Sequence, residues 1–259
     1  LIAGLPGTGV LALSGFGGLF GLAIGSFIAA LTLRWPSGRS IAGGERSACD
    51  ICGTRLWARD LVPVASFVSL RGRCRHCGGA IAARHVWIEL AAGGIGCLSL
   101  GIYPDAAGAA GALFGWLLLA LAILDVEHFW LPDRLTLPLA GLGLVAGIWL
   151  APSLVDRGIG AAVGYAGLAL VAAVYRAATG RHGMGGGDPR LMGAIGAWLG
   201  WTALPLVLLV GASLGLVLAG LDRLRGRPVD RTTALPLGAL LAVAAWPVWL
   251  AGIPISLQP

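Results

Sequence analysis

The stretch AAGAAGALFGWLLLALAIL, residues 106–124, decides the architecture. It carries no charge, and as a helix rising 1.5 Å per residue it nearly covers the ~30 Å hydrocarbon core of a bilayer. Working outward, runs of the same character lie near 8–33, 86–104, 135–154 and 158–176. The apolar stretch from Leu191 to Gly220 is too long for one untilted span and reads as two passes broken near Trp201 to Pro205. A last span covers about 234–252. The expectation is an all-α, polytopic membrane helix bundle of about eight transmembrane helices with a small cytoplasmic zinc-ribbon-like insertion.

Composition supports that reading. Of 259 residues, 57% are hydrophobic and 12% charged, where a soluble domain carries roughly a quarter charged residues. The 43 glycines suit spanning helices that associate by close approach, because lipid supplies no hydrophobic drive between them. A net charge of +6 would point to nucleic acid in a soluble protein. Here the basic residues, all arginine, sit in short loops between apolar runs, so no nucleic-acid partner is expected and the bilayer is the solvent. Leu1 to Leu33 has no charge and ends at Arg34, which reads as a first spanning helix rather than a secretory signal.

Three regions follow: a first transmembrane helix (1–33), a cytoplasmic tetracysteine module (34–85) and a transmembrane bundle (86–259). Orientation comes from arginine placement. Arg34 to Arg84 holds nine arginines against Glu45, Asp50 and Asp60, whereas Asp105 and the Asp156-Arg157 turn are nearly neutral. The first loop is therefore assigned to the cytoplasm and the neutral turns to the outside. Threading the spans places His128 to Arg134, Arg176 to Arg190 and the cluster Arg223, Arg225, Arg227 and Arg231 on the cytoplasmic side as well.

Within the first loop, Cys49-Asp50-Ile51-Cys52 and Cys74-Arg75-His76-Cys77 are two CxxC knuckles separated by 21 residues. That spacing is close to a four-cysteine zinc ribbon. A module of about fifty residues has too small a core to hold itself, and a tetrahedral Zn²⁺ joining the knuckles would supply the missing folding free energy. Four thiolates leave no position for a catalytic water, so the metal would be structural. Disulfides are the competing reading, disfavoured in a reducing cytoplasm. Gly53 and Gly78 follow each knuckle, where the turn is tight. Cys97, inside an apolar run, reads as a packing residue.

Four carboxylates lie near one interface. Asp125 directly follows the uncharged run, with Glu127 and Asp133 close behind, and Asp188 ends the glycine-rich segment Gly183-Met184-Gly185-Gly186-Gly187 before the sixth span. Topology puts Asp125 and Asp188 at one depth. If they converge, both cannot ionise at once, and a pair sharing one proton suits peptide hydrolysis. One carboxylate deprotonates a water while the other polarises the scissile carbonyl and donates to the leaving amine. As residues alone, Asp125 reads equally as an interfacial helix end and Asp188 as a helix N-cap. The pattern by itself does not choose among the four acids.

The whole set resembles the type IV prepilin peptidases, membrane aspartic proteases related in their dyad to preflagellin peptidases. Gly183 to Leu191 resembles the family's GxGDxKL signature, and Asp125 through Pro132-Asp133 its other catalytic segment. Gly25-Ser26-Phe27 with Arg34 and Pro36 is similar to the family's opening helix, and the double CxxC loop ends in Trp87-Ile88-Glu89-Leu90 as the family's does. The resemblance implies that Asp125 and Asp188 are catalytic and that Glu127 and Asp133 support them. It further implies an enzyme of the bacterial inner membrane that removes the short basic leader from prepilins or pseudopilins at the cytoplasmic face. In bifunctional members, which carry the tetracysteine loop, the new amino terminus is then methylated from S-adenosylmethionine. Two positions depart from the pattern: Ala29 stands where Asn is expected, and Arg190 where Lys is expected. No glycine-rich nucleotide fingerprint marks residues for S-adenosylmethionine, and nothing in the sequence sets an oligomeric state.

Two other classes compete. An ion-coupled transporter also places acids in the membrane, but its internal repeat is not visible and both acids sit near one face. A non-catalytic assembly factor for pili or secretion would dock pilin helices without cleaving them.

Overall fold

A computed structural model describes residues 7–38, 48–49, 51–181, 183–227 and 235–252. Arg39, Glu45, Arg46, Asp50 and Arg231, used above for orientation, lie outside the described residues, as does the apolar tail 253–259. The chain forms two compact units, Leu1–Trp116 and Leu117–Pro259. Their boundary falls inside one helix. Among the described residues there is no β-strand, only two isolated bridges in the cysteine module.

The first unit contains α1 (Gly7–Arg34), a 3₁₀ turn at Ala58–Leu61, α2 (Ala65–Ser69), α3 (Arg84–Ile102) and the first half of α4 (Ala106–His128). Gly17, Gly21 and Gly25 recur every fourth residue, so they share one face of α1. A Cβ on Gly17 would meet the carbonyl of Gly96, one on Gly21 that of Ala92, and one on Gly25 the Glu89 Cα at 2.6 Å. This small-residue stripe brings the α1 and α3 backbones into contact. Arg84 ties the helices together at one end, donating to the Ala29 carbonyl at 3.0 Å and to Thr32 Oγ1 at 2.7 Å. Trp116 on α4 donates its indole N–H to the Ala92 carbonyl at 2.8 Å.

The second unit contains the rest of α4 and α5 (Asp133–Ala146), α6 (Leu154–Thr179), α7 (Gly187–Leu199), α8 (Leu204–Leu224) and α9 (Leu237–Leu250). At its centre is α7, buried along almost its whole length and packed by α5, α6 and α9. Gly160 and Gly164 of α6 lie against Gly196 and Met192 of α7, repeating the small-residue contact of the first unit. Arg157, at 0% exposure, occupies the end of this unit. Its guanidinium donates to the carbonyls of Pro152, Gly143, Ala197, Leu150 and Ala151. These include chain ends and turns whose carbonyls have no helical partner, and a five-donor fork suits them.

Among the described residues, eight substantial helices match the eight apolar runs in order, but not all in length, and five are long and apolar enough to cross a membrane: α1, α3, α4, α6 and α8. The other three, α5, α7 and α9, have 14, 13 and 14 residues and rise only about 20 Å. The run expected at 135–154 stops being helical at Ala146, and α4 continues past Asp125 to His128. The break expected near 201–205 is present: α7 ends at Leu199, Gly200 turns the chain with φ 74°, and α8 starts at Leu204.

Candidate active site and metal centre

Asp125 lies in the last turn of α4, where its flanking residues Val126, Glu127 and His128 are exposed. Asp125 itself is only 5% exposed, and its Oδ2 accepts the Ala239 N–H from the first turn of α9 at 2.8 Å. Asp188 is the second residue of α7 and is 6% exposed. Its Oδ2 accepts the Gly185 N–H at 3.1 Å. The two carboxylates are near enough for the charge of Asp125 to act on Asp188, and Gly238 lies against Asp125, where a Cβ would stand 3.0 Å from Oδ2. The N-cap position of α7 belongs to Gly186, not to Asp188.

Local sequence explains this convergence. After α4 the chain reverses through Phe129, which takes a left-handed φ of 50° that a bulky residue rarely adopts. The turn carries Leu131 back against two glycines. A Cβ on Gly187 would lie 2.7 Å from the Leu131 Cβ, and a Cβ on Gly238 would lie 2.7 Å from Leu131 Cδ1 and 3.0 Å from Asp125 Oδ2. Glycine at these positions is what allows α4, α7 and α9 to meet at the carboxylates. Gly185 and Gly186 keep negative φ, so their conformation does not demand glycine.

The rival acids are placed differently. Glu127 is exposed, 3.9 Å from His128 Nε2. Asp133 is also exposed and accepts Arg190 Nη1 at 2.6 and 2.8 Å. The Arg190 guanidinium therefore ties the start of α5 to α7 rather than pairing with Asp188.

In the first unit, the sulfur atoms of Cys49, Cys52, Cys74 and Cys77 lie within 4.8 Å of one another. Cys49 and Cys77 are 3.9 Å apart, and thiolates on a tetrahedral zinc with ~2.3 Å bonds stand about 3.8 Å apart. The donor set fits Zn²⁺. The two knuckles have the same construction. Cys49 N–H donates to Thr54 and Cys74 N–H to Gly79, while Gly53 and Gly78, at φ 69° and 70°, return their amides to the Cys49 and Cys74 carbonyls. Glu89 of α3, 6% exposed, accepts the Val64 N–H at 2.8 Å and so fastens the loop to its helix. Burial acts to raise the Asp60 carboxyl, but Arg75 at 3.0 Å and the Trp57 N–H outweigh it and hold Asp60 below the usual carboxylate range.

Comparison with known proteins decides the family. Residues 19–102 match the Bacterial Peptidase A24 N-terminal domain and residues 112–220 match the Type IV leader peptidase family. A prepilin leader peptidase/N-methyltransferase of Burkholderia pseudomallei is 42% identical, over 82% of this chain and 69% of the relative. The chain belongs to the type IV leader peptidase family. A relative of the same name from Dichelobacter nodosus is 39% identical, covering 81% of this chain and 72% of its own. One from Pseudomonas aeruginosa is 36% identical over 92% of this chain and 90% of the relative. No solved structure matches. Family membership and the five long apolar helices make this a bacterial inner-membrane protein.

The spacing of the sequence singled out the four cysteines and the family resemblance singled out Asp125 and Asp188, and the structure brings each set together. Gly238 and Ala239 were not singled out, and Glu89 entered only as part of the segment that closes the double CxxC loop. The one available hint was Pro236-Leu237-Gly238, a proline before a helix start with a glycine inside its first turn.

Proposed function

We propose that this protein is a membrane aspartic endopeptidase that removes the leader of type IV prepilins or pseudopilins and then methylates the exposed amino terminus. Asp125 and Asp188 are its catalytic pair. The observation that supports this most is selective burial: of the four acids near the interface, the two in the family's motif positions converge out of water, while Glu127 and Asp133 stay exposed.

In the proposed reaction the ionised carboxylate removes a proton from a water, whose oxygen attacks the scissile carbonyl. The protonated partner first hydrogen-bonds that carbonyl, then delivers its proton to the departing amide nitrogen, and the pair ends with one shared proton again. Two carboxylates at helix ends suit a substrate whose polar leader and apolar helix meet at the membrane surface. The arginine-rich loops beside it support a cytoplasmic position for that surface. S-adenosylmethionine would supply the methyl group to the freed amine. Cys49, Cys52, Cys74 and Cys77 would hold a structural Zn²⁺ that fixes the loop.

Incubating the purified protein with a prepilin and reading intact mass tests this. Leader loss without S-adenosylmethionine, and a further methyl mass only with it, are expected. An uncleaved substrate under conditions where a family relative cleaves it would overturn the proposal.

A further inference from the structure

The first turn of α9 touches the dyad at Asp125. Ala239 donates to Asp125 Oδ2 at 2.8 Å, and Gly238 lies beside the same oxygen. The Ala239 amide is not needed within the helix, because the first amides of a helix have no carbonyl one turn back to receive them. Ala239 is 4% exposed and Gly238 is buried, so water does not supply the partner. The space is equally constrained: any side chain on Gly238 would enter the 3.0 Å gap to Asp125 Oδ2 and the 2.7 Å gap to Leu131.

We propose that Gly238 and Ala239 are positioning residues for cleavage, with the Ala239 amide holding Asp125 through Oδ2 so that its other oxygen faces the reacting water. This rests on the reading of Asp125 and Asp188 as the catalytic pair. Gly238 serves through its missing side chain, which lets the α9 backbone approach Asp125. The two residues act through the carboxylates and do not touch substrate. Misplacing a reacting group by about 1 Å costs on the order of 100-fold in rate, which sets the size of the expected effect.

The test compares Ala239→Pro, Ala239→Ser, Gly238→Ala and Asp125→Asn. Proline removes the N–H at a first-turn position where helices tolerate it, and serine keeps it. Ala239→Pro and Gly238→Ala should each lower kcat for cleavage about 10- to 100-fold, with KM within about twofold of wild type and methyl transfer to a leaderless pilin retained. Ala239→Ser should restore cleavage to within about threefold. Wild-type cleavage by Ala239→Pro or Gly238→Ala, beside an inactive Asp125→Asn, would overturn the positioning role and leave the dyad standing. Loss of methyl transfer together with cleavage in both variants would likewise overturn it, because the effect would then be general to the fold. Full cleavage by Asp125→Asn would instead overturn the catalytic reading beneath it.

Discussion

Arg157 and Asp133 exchange the roles their sequence neighbourhoods suggest. Arg157 reads from the sequence as a charge in a short polar turn, yet it lies in the first turns of α6, wholly enclosed and bonded to five carbonyls. Arg157→Met should therefore destabilise the folded state by about 3 kcal/mol or more, since several buried acceptors lose their donor at once. Denaturant unfolding in detergent would measure it, and an unchanged midpoint would contradict the clamp. Asp133 reads as a rival to Asp125 but is exposed and spent on Arg190. Exposed ion pairs contribute about 0 to 1 kcal/mol, so Asp133→Asn should leave stability within that range. The four candidate acids were visible in the sequence; their burial was not, because it depends on which backbones close over them. The Ala239 amide left even less trace, since every residue but proline carries one.

At the scale of elements, glycine abundance was the readable signal and helix length the misleading one. The close helix packing expected from that abundance is present where Gly17, Gly21 and Gly25 of α1 form a seam against α3. Gly21→Leu should split it, since the new side chain would overlap the Ala92 backbone. Faster proteolysis of the first unit in detergent would show this, and wild-type resistance would argue against the seam. Apolar runs, by contrast, mark burial without saying whether lipid or protein provides it. Of the three short helices α9 is as apolar as a span, while α7 spends its apolar residues on neighbouring helices. The CxxC knuckles were legible because four sulfurs at this spacing have few uses. Metal analysis should find about one zinc per chain, and Cys74→Ser should lose it together with the protection of 48–81 from protease. A metal-free wild type with an intact loop would contradict the site.

For the whole molecule, the distribution of arginine predicts which side each loop faces. Asp105→Cys should react with a membrane-impermeant thiol reagent added outside spheroplasts, and Arg225→Cys only after permeabilisation. The reverse pattern would invert the topology and place the carboxylates away from the cytoplasm. Membrane class, the order of helices and the family were all readable before any coordinates, because hydropathy and two motifs are local properties. The meeting of α4, α7 and α9 is not local: it joins residues 125, 188 and 239 through three glycine-permitted contacts. The most direct measurement is cleavage of one prepilin by Asp125→Asn, Asp188→Asn, Glu127→Gln and Asp133→Asn side by side with wild type. The account predicts at least a 100-fold loss for the first two and cleavage within about tenfold of wild type for the others. Cleavage surviving in both Asp125→Asn and Asp188→Asn, or lost only with Glu127 or Asp133, would contradict it.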